Sequence, residues 1–201
     1  MRQTDYVILG LLAERPLSGY QIKKIVDIRF QFFWSESFGQ IFPALKSLAS
    51  QGYCEELPQE GACARVAKRY RITPAGRQAL VDWLGQPVEK ESLRLEILLK
   101  TYFSGYAAPE AMLMHLGAFS ESHEKQLHLL NLFQAELERI PDEDGNHRDI
   151  LRVIDFGQKA NRAYLDWCRE TKTYFEQKQS IGRRGSDRTQ DTAPKGKANQ
   201  E

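Results

Sequence analysis

The apolar residues of this chain recur with the 3.6-residue period of an α-helix almost throughout, and only two short segments within residues 53–72 alternate with the period of a β-strand. This one change of period predicts a mainly α fold that contains a small β-hairpin. Three helices are predicted before the hairpin: one that ends at Arg15-Pro16, one that begins at the N-cap Ser18 and runs to about Phe32, and one from about Ser37 to Gly52.

The hairpin region has two predicted strands, at residues 53–57 and 68–72, joined by a loop that contains Gly61. In the second strand, Tyr70 and Ile72 are predicted to share one face. The first strand is indicated by the alternating residues Tyr53, Glu55 and Leu57.

A fourth helix is predicted to begin at Thr73-Pro74, because a capping residue there precedes a proline at the first helical position. Gly85 ends this helix. Its predicted inward-facing residues are Ala75, Ala79, Leu80, Trp83 and Leu84.

Beyond a linker at residues 86–91 the chain is predicted to be helical. A short helix carries the stripe Leu95, Leu98, Leu99 and Tyr102, a long helix runs from Pro109 to Ile140, and a last helix ends near Lys178. The predicted domains are therefore residues 1–87, residues 88–178 and a polar, disordered tail at 179–201.

Composition and charge narrow the class of protein. Of the 201 residues, 41% are apolar and 27% are charged, which is ordinary for a globular protein. No apolar run approaches the roughly 18 residues of a membrane-spanning helix, and the run at residues 7–13 is too short for a signal peptide, so we expect a cytoplasmic protein with reduced cysteines. The net charge is +3 for residues 1–87, −5 for 88–176 and +3 for 177–201, which favours different partners for the two main parts.

Motifs for catalysis or metal binding are missing from the sequence. The four histidines include no pair at the i, i+4 spacing that places two ligands on one helix face. There is also no nucleophile elbow, Walker loop or dinucleotide-binding glycine motif, so we predict no catalytic residue, no metal and no cofactor. Cys54 and Cys63 could oppose each other across the predicted hairpin; a redox pair there is the alternative to two incidental thiols, which are commoner in the cytosol.

Three helices, a hairpin and a fourth helix, in this order, are the elements of a winged helix-turn-helix. In this fold the third helix enters the major groove of DNA and the hairpin flanks the backbone. The third helix needs small, polar or basic residues near its start, and the hairpin needs cations. The residues that meet these needs are Ser37, Gly39, Gln40, Lys46 and Ser47 on the helix, and Arg65, Lys68, Arg69 and Arg71 on the hairpin.

Two of these candidates have specific chemistry. The amide of Gln40 can pair with both N6 and N7 of adenine, and Gly39 lets the backbone approach DNA closely. For each single residue the alternative is an ordinary solvated side chain. The group of cations on one hairpin is stronger evidence than any one of them.

Three motifs follow one another across residues 6–84: the SGYQI helix start, the segment S-x-G-Q-I-F-P-x-L-K-x-L-x-x-x-G in the third helix, and the block Y-R-I-T-P-x-G-R. Together they resemble the PadR family of bacterial transcriptional regulators, and the helical remainder resembles the larger PadR subgroup with a helical C-terminal domain. Phe42 departs from the family, which more often has Tyr there. Pro43, unusual inside a helix, belongs to the family pattern.

The resemblance implies a homodimeric regulator, usually a repressor, that binds double-stranded DNA at an operator of roughly two-fold symmetry. It places Phe42 and Pro43 among the DNA-contacting residues. It also implies that a small aromatic or drug-like effector releases the DNA in some members.

The last predicted helix carries a stripe at alternating spacings of three and four, which indicates a helix-packing seam. We interpret Ile154, Gly157, Tyr164 and Cys168 on this stripe as a dimerisation surface, because a soluble monomer avoids exposing such a stripe. The alternative is that the stripe packs on the chain's own helices.

Two further questions stay open at the level of sequence. A helical adaptor that binds protein and has lost DNA binding is the alternative function, and the hairpin cations argue against it. The aromatic residues near the ends of the second and fifth helices could line an effector pocket, although core positions are their more usual role. They are Phe32, Phe33, Trp34, Tyr102, Phe103 and Tyr106.

Overall fold

The computed structural model describes residues 1–58, 67–89, 93–142 and 145–190, with side chains as far as Ile181. It divides into two compact units, Met1–Glu91 and Ser92–Glu201. Within the described ranges, no helix is both long enough and apolar enough to cross a membrane.

The first unit surrounds one hydrophobic core with helices and a small sheet. Its elements are α1 (Gln3–Glu14), β1 (Leu17–Ser18), α2 (Gly19–Ile25) with a π-helical turn (Val26–Phe30), α3 (Phe38–Ser50), β2 (Cys54–Glu56), β3 (Arg69–Ile72) and α4 (Pro74–Leu84). β3 is the central strand and pairs antiparallel with both of its neighbours. The predicted mainly α fold with a small hairpin is confirmed.

The sheet has a third strand that the sequence did not predict. Leu17 and Ser18 pair with Tyr70 and Arg69, on the edge of β3 opposite β2. Two residues are too few to show a period of two, so only the neighbouring strand reveals them as a strand.

The buried position in β2 is Cys54, which lies opposite Ile72 and faces the core. The alternation of Tyr53, Glu55 and Leu57 indicated a strand correctly. These three residues do not form its inward face, however, because Glu55 is exposed. A reduced cysteine packs as a small apolar residue, and this explains why the pattern of larger residues was misleading. Burial raises the pKa of the Cys54 thiol to about 11.

α3 packs on α1 through the apolar face that its sequence predicts. The residues of α3 on this face are buried, and so are their neighbours in α1: Ile41, Ala44, Leu45, Leu48, Ile8, Leu9 and Leu12. Each large aliphatic side chain buried in this way stabilises the fold by about 1.5–3 kcal/mol relative to exposure. The opposite face of α3 is therefore free to contact another molecule.

The second helix changes its geometry before its predicted end. The N–H of Val26 donates to the carbonyl oxygens of both Ile22 and Lys23, and the π-helical turn begins at this residue. A period near 3.6 in the sequence cannot distinguish one widened turn from a regular one. The predicted α-helix to Phe32 is therefore wrong in its last part.

The inward face predicted for α4 is largely wrong. Ala79 and Leu80 pack partly against the core, but Leu84 is 68% exposed. Trp83 lies at the edge, where its ring stacks on Tyr6 with centroids 4.7 Å apart. The helix is short and covers the core only at its side, so most of its apolar residues remain on the surface.

The second unit consists of helices in the described residues. They are α5 (Glu96–Tyr102), a 3₁₀ turn (Ser104–Tyr106), α6 (Pro109–Arg139) and α7 (His147–Gln190). The contacts that join the two long helices pair Glu110 with Gln179 and His123 with Asn161, so α6 and α7 run antiparallel.

Two predictions for this unit are wrong. In α5 the buried residue is Ile97, whereas Leu98, Leu99 and Tyr102 of the predicted stripe are exposed. α7 also continues beyond Lys178 to Gln190, although the apolar period stops. Residues 179–190 include Gly182 and Gly185, so helix propensity does not explain this continuation.

Candidate nucleic-acid interface

The start of α3 is fixed by its own side chains. Ser37 is the N-cap, and its backbone N–H donates to Oε1 of Gln40 at 2.8 Å. This contact is one half of a capping box, in which the third helical residue reaches back to the cap. The helix therefore begins at Phe38, directly after Ser37 as expected.

Gln40 has a structural role in addition to the predicted base-reading role. Pairing with adenine needs Oε1 as acceptor and Nε2 as donor at the same time. Oε1 already accepts the bond from Ser37 with one of its two lone pairs, while no partner of Nε2 is seen among the described residues. Bidentate reading of adenine by Gln40 thus requires Oε1 to accept a second bond or the capping bond to break.

Four of the predicted DNA-contacting residues lie together on the solvent-facing side of α3. Gly39, Gln40, Pro43 and Lys46 are all exposed and follow one another at helical spacing. Lys46 has no ion-pair partner among the described residues. This exposed face combines close backbone approach, an amide and one cation.

Gly39 is not required by the fold. A Cβ built at this position would meet only the Ser37 Oγ, at an ordinary 3.6 Å. At Gly19, by contrast, the same atom would lie 2.7 Å from the ring of Phe42. The fold therefore has no internal packing reason for a glycine at residue 39.

Pro43 is the sixth residue of α3 and lies inside the helix. It has no N–H to donate to the carbonyl of Gly39, four residues earlier. Both residues are exposed, so water or a partner can satisfy this oxygen. The missing hydrogen bond lies on the solvent-facing side of the helix, where it lowers stability least.

Phe42 is a packing residue as much as a surface residue. Its ring is half-buried over Gly19 and meets Tyr20 edge-on, with centroids 5.4 Å apart. A phenyl ring suffices for this contact between α2 and α3. The departure from tyrosine therefore removes a hydroxyl without removing the packing.

The hairpin cations are partly neutralised by the neighbouring strand. Lys68 Nζ lies 2.8 Å from Glu56, and Arg71 Nη2 lies 2.7 Å from Glu55. The hydrogen bond with Glu56 raises the pKa of Lys68. Arg69 instead donates to the carbonyl oxygen of Pro16 at 2.9 Å.

Three cations against two carboxylates leave the described part of the hairpin only weakly basic. Arg65 and Cys63 lie outside the described residues, so neither its predicted DNA contact nor the Cys54–Cys63 pair is placed. The cation cluster is therefore a weaker argument for DNA binding than the sequence suggested.

An aromatic cluster that was not predicted from the sequence lies beside the start of α3 and consists of Tyr20, Phe38 and Phe42. The ring of Phe38 lies 5.4 Å from Tyr20 and 5.9 Å from Phe42, measured between centroids. Lys23 Nζ lies 5.6 Å from the Phe38 centroid. The signal that could have found it is an aromatic residue at the first position of a helix, where solvent exposure is high.

The predicted dimerisation residues lie on the face of α7 that packs on α6. Ile154, Gly157 and Cys168 are buried within the chain, and Tyr164 is half-buried beside His123. The premise that a lone helix would expose this stripe is therefore wrong. α6 covers it, as in the alternative interpretation.

The aromatic residues considered for an effector pocket are mostly exposed. Phe103 is half-exposed, and Tyr102 and Tyr106 are 82% and 94% exposed. Phe33 is also exposed, while Trp34 donates its indole N–H to Glu36 at 2.9 Å. A core role is thus wrong for Tyr102, Phe103 and Tyr106 within one chain.

Comparison with known families matches both parts of the chain. Residues 8–82 match the Transcriptional regulator PadR-like family, and residues 93–176 match the Virulence activator alpha C-term family. The chain carries a PadR-like domain, followed by a helical C-terminal extension.

Individual relatives agree with this assignment. The Negative transcriptional regulator PadR of Bacillus subtilis is 38% identical over 105 residues, which cover 51% of this chain and 57% of PadR. The match thus spans little more than half of that relative.

Two crystal structures share the fold over most of both chains. A PadR-like transcriptional regulator from Bacillus cereus is 27% identical, with a TM-score of 0.74 and coverage of 88% of this chain and 99% of that one. Bacillus subtilis PadR in complex with operator DNA is 26% identical, with a TM-score of 0.73 and coverage of 87% and 99%. The first unit is therefore a winged-helix domain of the PadR type.

Proposed function

We propose that this PadR-like protein is a sequence-specific DNA-binding repressor that acts as a homodimer in the cytoplasm. The observation that carries the proposal is the exposed face of α3, where Gly39, Gln40, Pro43 and Lys46 stand together on the third helix of a winged-helix core. Helices in this place enter the major groove in proteins of this fold. Support comes from the Bacillus subtilis relative, which is a negative regulator and was solved with operator DNA.

A mobility-shift assay with fragments of the source genome tests DNA binding directly. We expect one or a few fragments to shift at concentrations where random DNA of equal length does not. The shifted affinity should fall steeply with salt, since each phosphate contact contributes about −0.9 to the slope of log K against log salt. No preferred fragment at low salt would contradict the proposal.

Substitution of Lys46 by alanine tests whether α3 is the part that meets DNA. The loss of one phosphate contact should weaken binding to all sequences alike and reduce the salt slope by about 0.9. Arg162, an exposed cation on α7, is the matched control, because R162A removes the same charge from the second unit. Equal losses for the two variants would show that only net charge matters.

Substitution of Gly39 by alanine should change DNA affinity without lowering the stability of the fold. The fold accommodates a Cβ at residue 39, and alanine favours a helix over glycine by about 1 kcal/mol, so stability should stay equal or rise. DNA affinity should nevertheless fall, because the added methyl group holds the backbone away from the groove. Undiminished affinity would place the DNA elsewhere on the molecule.

A protein-binding adaptor is the second candidate function. The pairing of Lys68 with Glu56 and of Arg71 with Glu55 favours it, because a wing so neutralised has fewer charges for phosphate. The adaptor function predicts no preferred DNA fragment at any salt concentration. The mobility-shift assay therefore decides between the two functions.

The proposal assigns the dimer contact to exposed apolar residues of the second unit. Around α5 and the following turn, large side chains face solvent within a short stretch of chain, which is unusual for a soluble monomer. They are Leu98, Leu99, Tyr102, Phe103 and Tyr106. A second copy of the chain is the partner we assign to them, in place of the α7 stripe that α6 covers.

A small aromatic effector is the last part of the proposal. Bacillus subtilis PadR was crystallised with p-coumaric acid, and this compound is the first probe to use. A ligand releases DNA only if it binds the DNA-incompetent state more tightly. Titration followed by the fluorescence of Trp34, Trp83 and Trp167, repeated on the DNA complex, should show quenching and release. If a panel of hydroxycinnamates and planar cations produces neither quenching nor release, the protein is a repressor without an effector.

A further inference from the structure

Phe38 stands at the point of α3 that leads into the proposed DNA interface. It is the first residue of the helix and remains 46% exposed. The exposed residues Gly39 and Gln40 follow it directly. In helix-turn-helix proteins, residues near the N-terminus of the recognition helix reach the edges of the bases.

The ring of Phe38 is held in a fixed position by its neighbours. Tyr20 meets it edge-on, with centroids 5.4 Å apart and an interplanar angle of 60°. Phe42 lies nearly parallel to it at 5.9 Å and 23°, and Lys23 Nζ lies 5.6 Å from its centroid. A side chain ordered before binding loses little entropy on contact with a partner.

The chemistry of a phenyl ring limits what it can recognise in the groove. It has no group that donates or accepts an N–H···O hydrogen bond, so it cannot read the polar edges of guanine, cytosine or adenine. Thymine alone among the four bases presents an apolar group in the major groove, its C5-methyl. We propose that Phe38 packs against the C5-methyl group of a thymine and so specifies thymine at one position in each half of the operator. This inference rests on the proposed function, in which α3 enters the major groove.

Replacement of thymine by deoxyuridine tests the contact, because deoxyuridine lacks only the methyl group. The probe is a duplex that the full-length wild-type protein enriches from a randomised library, with each thymine replaced in turn. One position in each half-site should lose about three- to fivefold in affinity, the change that burial of one methyl group supports. Phe38→Ala should bind the thymine duplex more weakly and no longer distinguish thymine from deoxyuridine at that position.

Two further variants are controls for loss of folding and for non-specific effects. Phe38→Leu keeps an apolar side chain and should retain part of the discrimination, while circular dichroism confirms that it folds. Phe156→Ala removes an exposed phenyl ring, 64% exposed on α7, and should keep the wild-type deoxyuridine penalty.

The outcomes separate this inference from the proposed function. If the library yields no enriched duplex, DNA binding itself fails. If a duplex is enriched but Phe38→Ala keeps the same deoxyuridine penalty, or no thymine is sensitive in the wild type, the role of Phe38 is overturned while DNA binding stands. A penalty that disappears only in Phe38→Ala establishes the contact.

Discussion

Single residues around α3 have internal and external roles that can be separated experimentally. Gln40 holds the cap of the helix through Oε1 and presents Nε2 to solvent. Gly39 has room for a side chain, whereas Gly76 has none. These differences allow substitutions in which stability and DNA affinity change independently.

Gln40 is tested by a pair of substitutions. Gln40→Ala removes the acceptor for Ser37 N–H and should lower stability by about 0.5–2 kcal/mol, the usual range for loss of a cap. Gln40→Glu keeps the acceptor and adds a negative charge at a helix N-terminus, which is favourable, so its stability should equal or exceed that of the wild type. Urea unfolding followed by circular dichroism measures both.

The same pair separates the two roles in DNA binding. Gln40→Ala should relax sequence preference while random DNA binds almost as before, and Gln40→Glu should weaken binding to all DNA through charge repulsion. If Gln40→Ala loses affinity equally on specific and random DNA, the base-reading role of Gln40 is wrong.

Gly76 and Gly10 form a second matched pair. A Cβ at Gly76 would lie 2.0 Å from the carbonyl oxygen of Tyr53, so Gly76→Ala must displace backbone in the first turn of α4. Gly10 lies inside α1, and a Cβ added there would meet no atom within 4 Å, so Gly10→Ala should raise stability by about 0.5–1 kcal/mol. Thermal unfolding should show a lower melting temperature for the first and a higher one for the second; the reverse order would contradict the packing at Gly76.

At the scale of elements, the contact between α6 and α7 is specified by polar as well as apolar groups. Nε2 of Gln158 donates to Asn131 and Gln134, at 2.9 and 2.7 Å. Asn161 donates to the carbonyl of Gly157, so its Oδ1 is the acceptor for Nδ1–H of His123 at 2.6 Å. A shift of one helix along the other would break the bonds that the buried amides of Gln158 and Asn161 make to α6, and this cost fixes the antiparallel register.

The burial of Cys54 in β2 predicts that its thiol reacts slowly in the folded protein. Cys54 is 2% exposed and its pKa is about 11, so almost none of it is thiolate at pH 8. Iodoacetamide at pH 8 should leave Cys54 unmodified in the native protein and modify it in urea, as read by peptide mass spectrometry. Rapid modification of the native protein would show that β2 opens readily.

The same pKa predicts how stability depends on pH. The pKa of Cys54 is higher in the folded protein than its ordinary value of 9.0. Its contribution to stability is therefore complete below about pH 9 and is lost as the pH rises towards 11. Cys54→Ala should remove this part of the alkaline destabilisation.

At the scale of the whole molecule, the proposed dimer is formed through surface that one chain leaves uncovered. Leu99 and Tyr102 are among the exposed apolar residues of α5. We expect the full chain to have the mass of a dimer in light scattering at micromolar concentration. The double substitution Leu99→Ser, Tyr102→Ser should shift it towards the monomer and weaken binding to a two-fold operator.

Val81→Ser is the control for this experiment, since Val81 is a similarly exposed apolar residue on α4 of the first unit. It should leave the mass unchanged. A dimer that survives the double substitution would place the subunit contact on another surface, such as the outer side of α7.

The sequence by itself determined what depends on near neighbours in the chain. From the sequence came the start of α3 near Ser37, the proline start of α4 at Thr73-Pro74 and the buried face of α3. The exposed face with Gly39, Gln40, Pro43 and Lys46 followed in the same way, because one helix face is the complement of the other.

The tertiary structure decided what depends on residues far apart in the chain. β1 exists only because β3 lies beside it, and the charge of the hairpin falls only because Glu55 and Glu56 lie opposite its cations. The α7 stripe has the same pattern whether a second copy or the chain's own α6 covers it, and only the packed structure shows that α6 does. A hydrophobic pattern predicts that a face is buried. Because the hydrophobic effect has no direction, the pattern does not predict which surface covers that face.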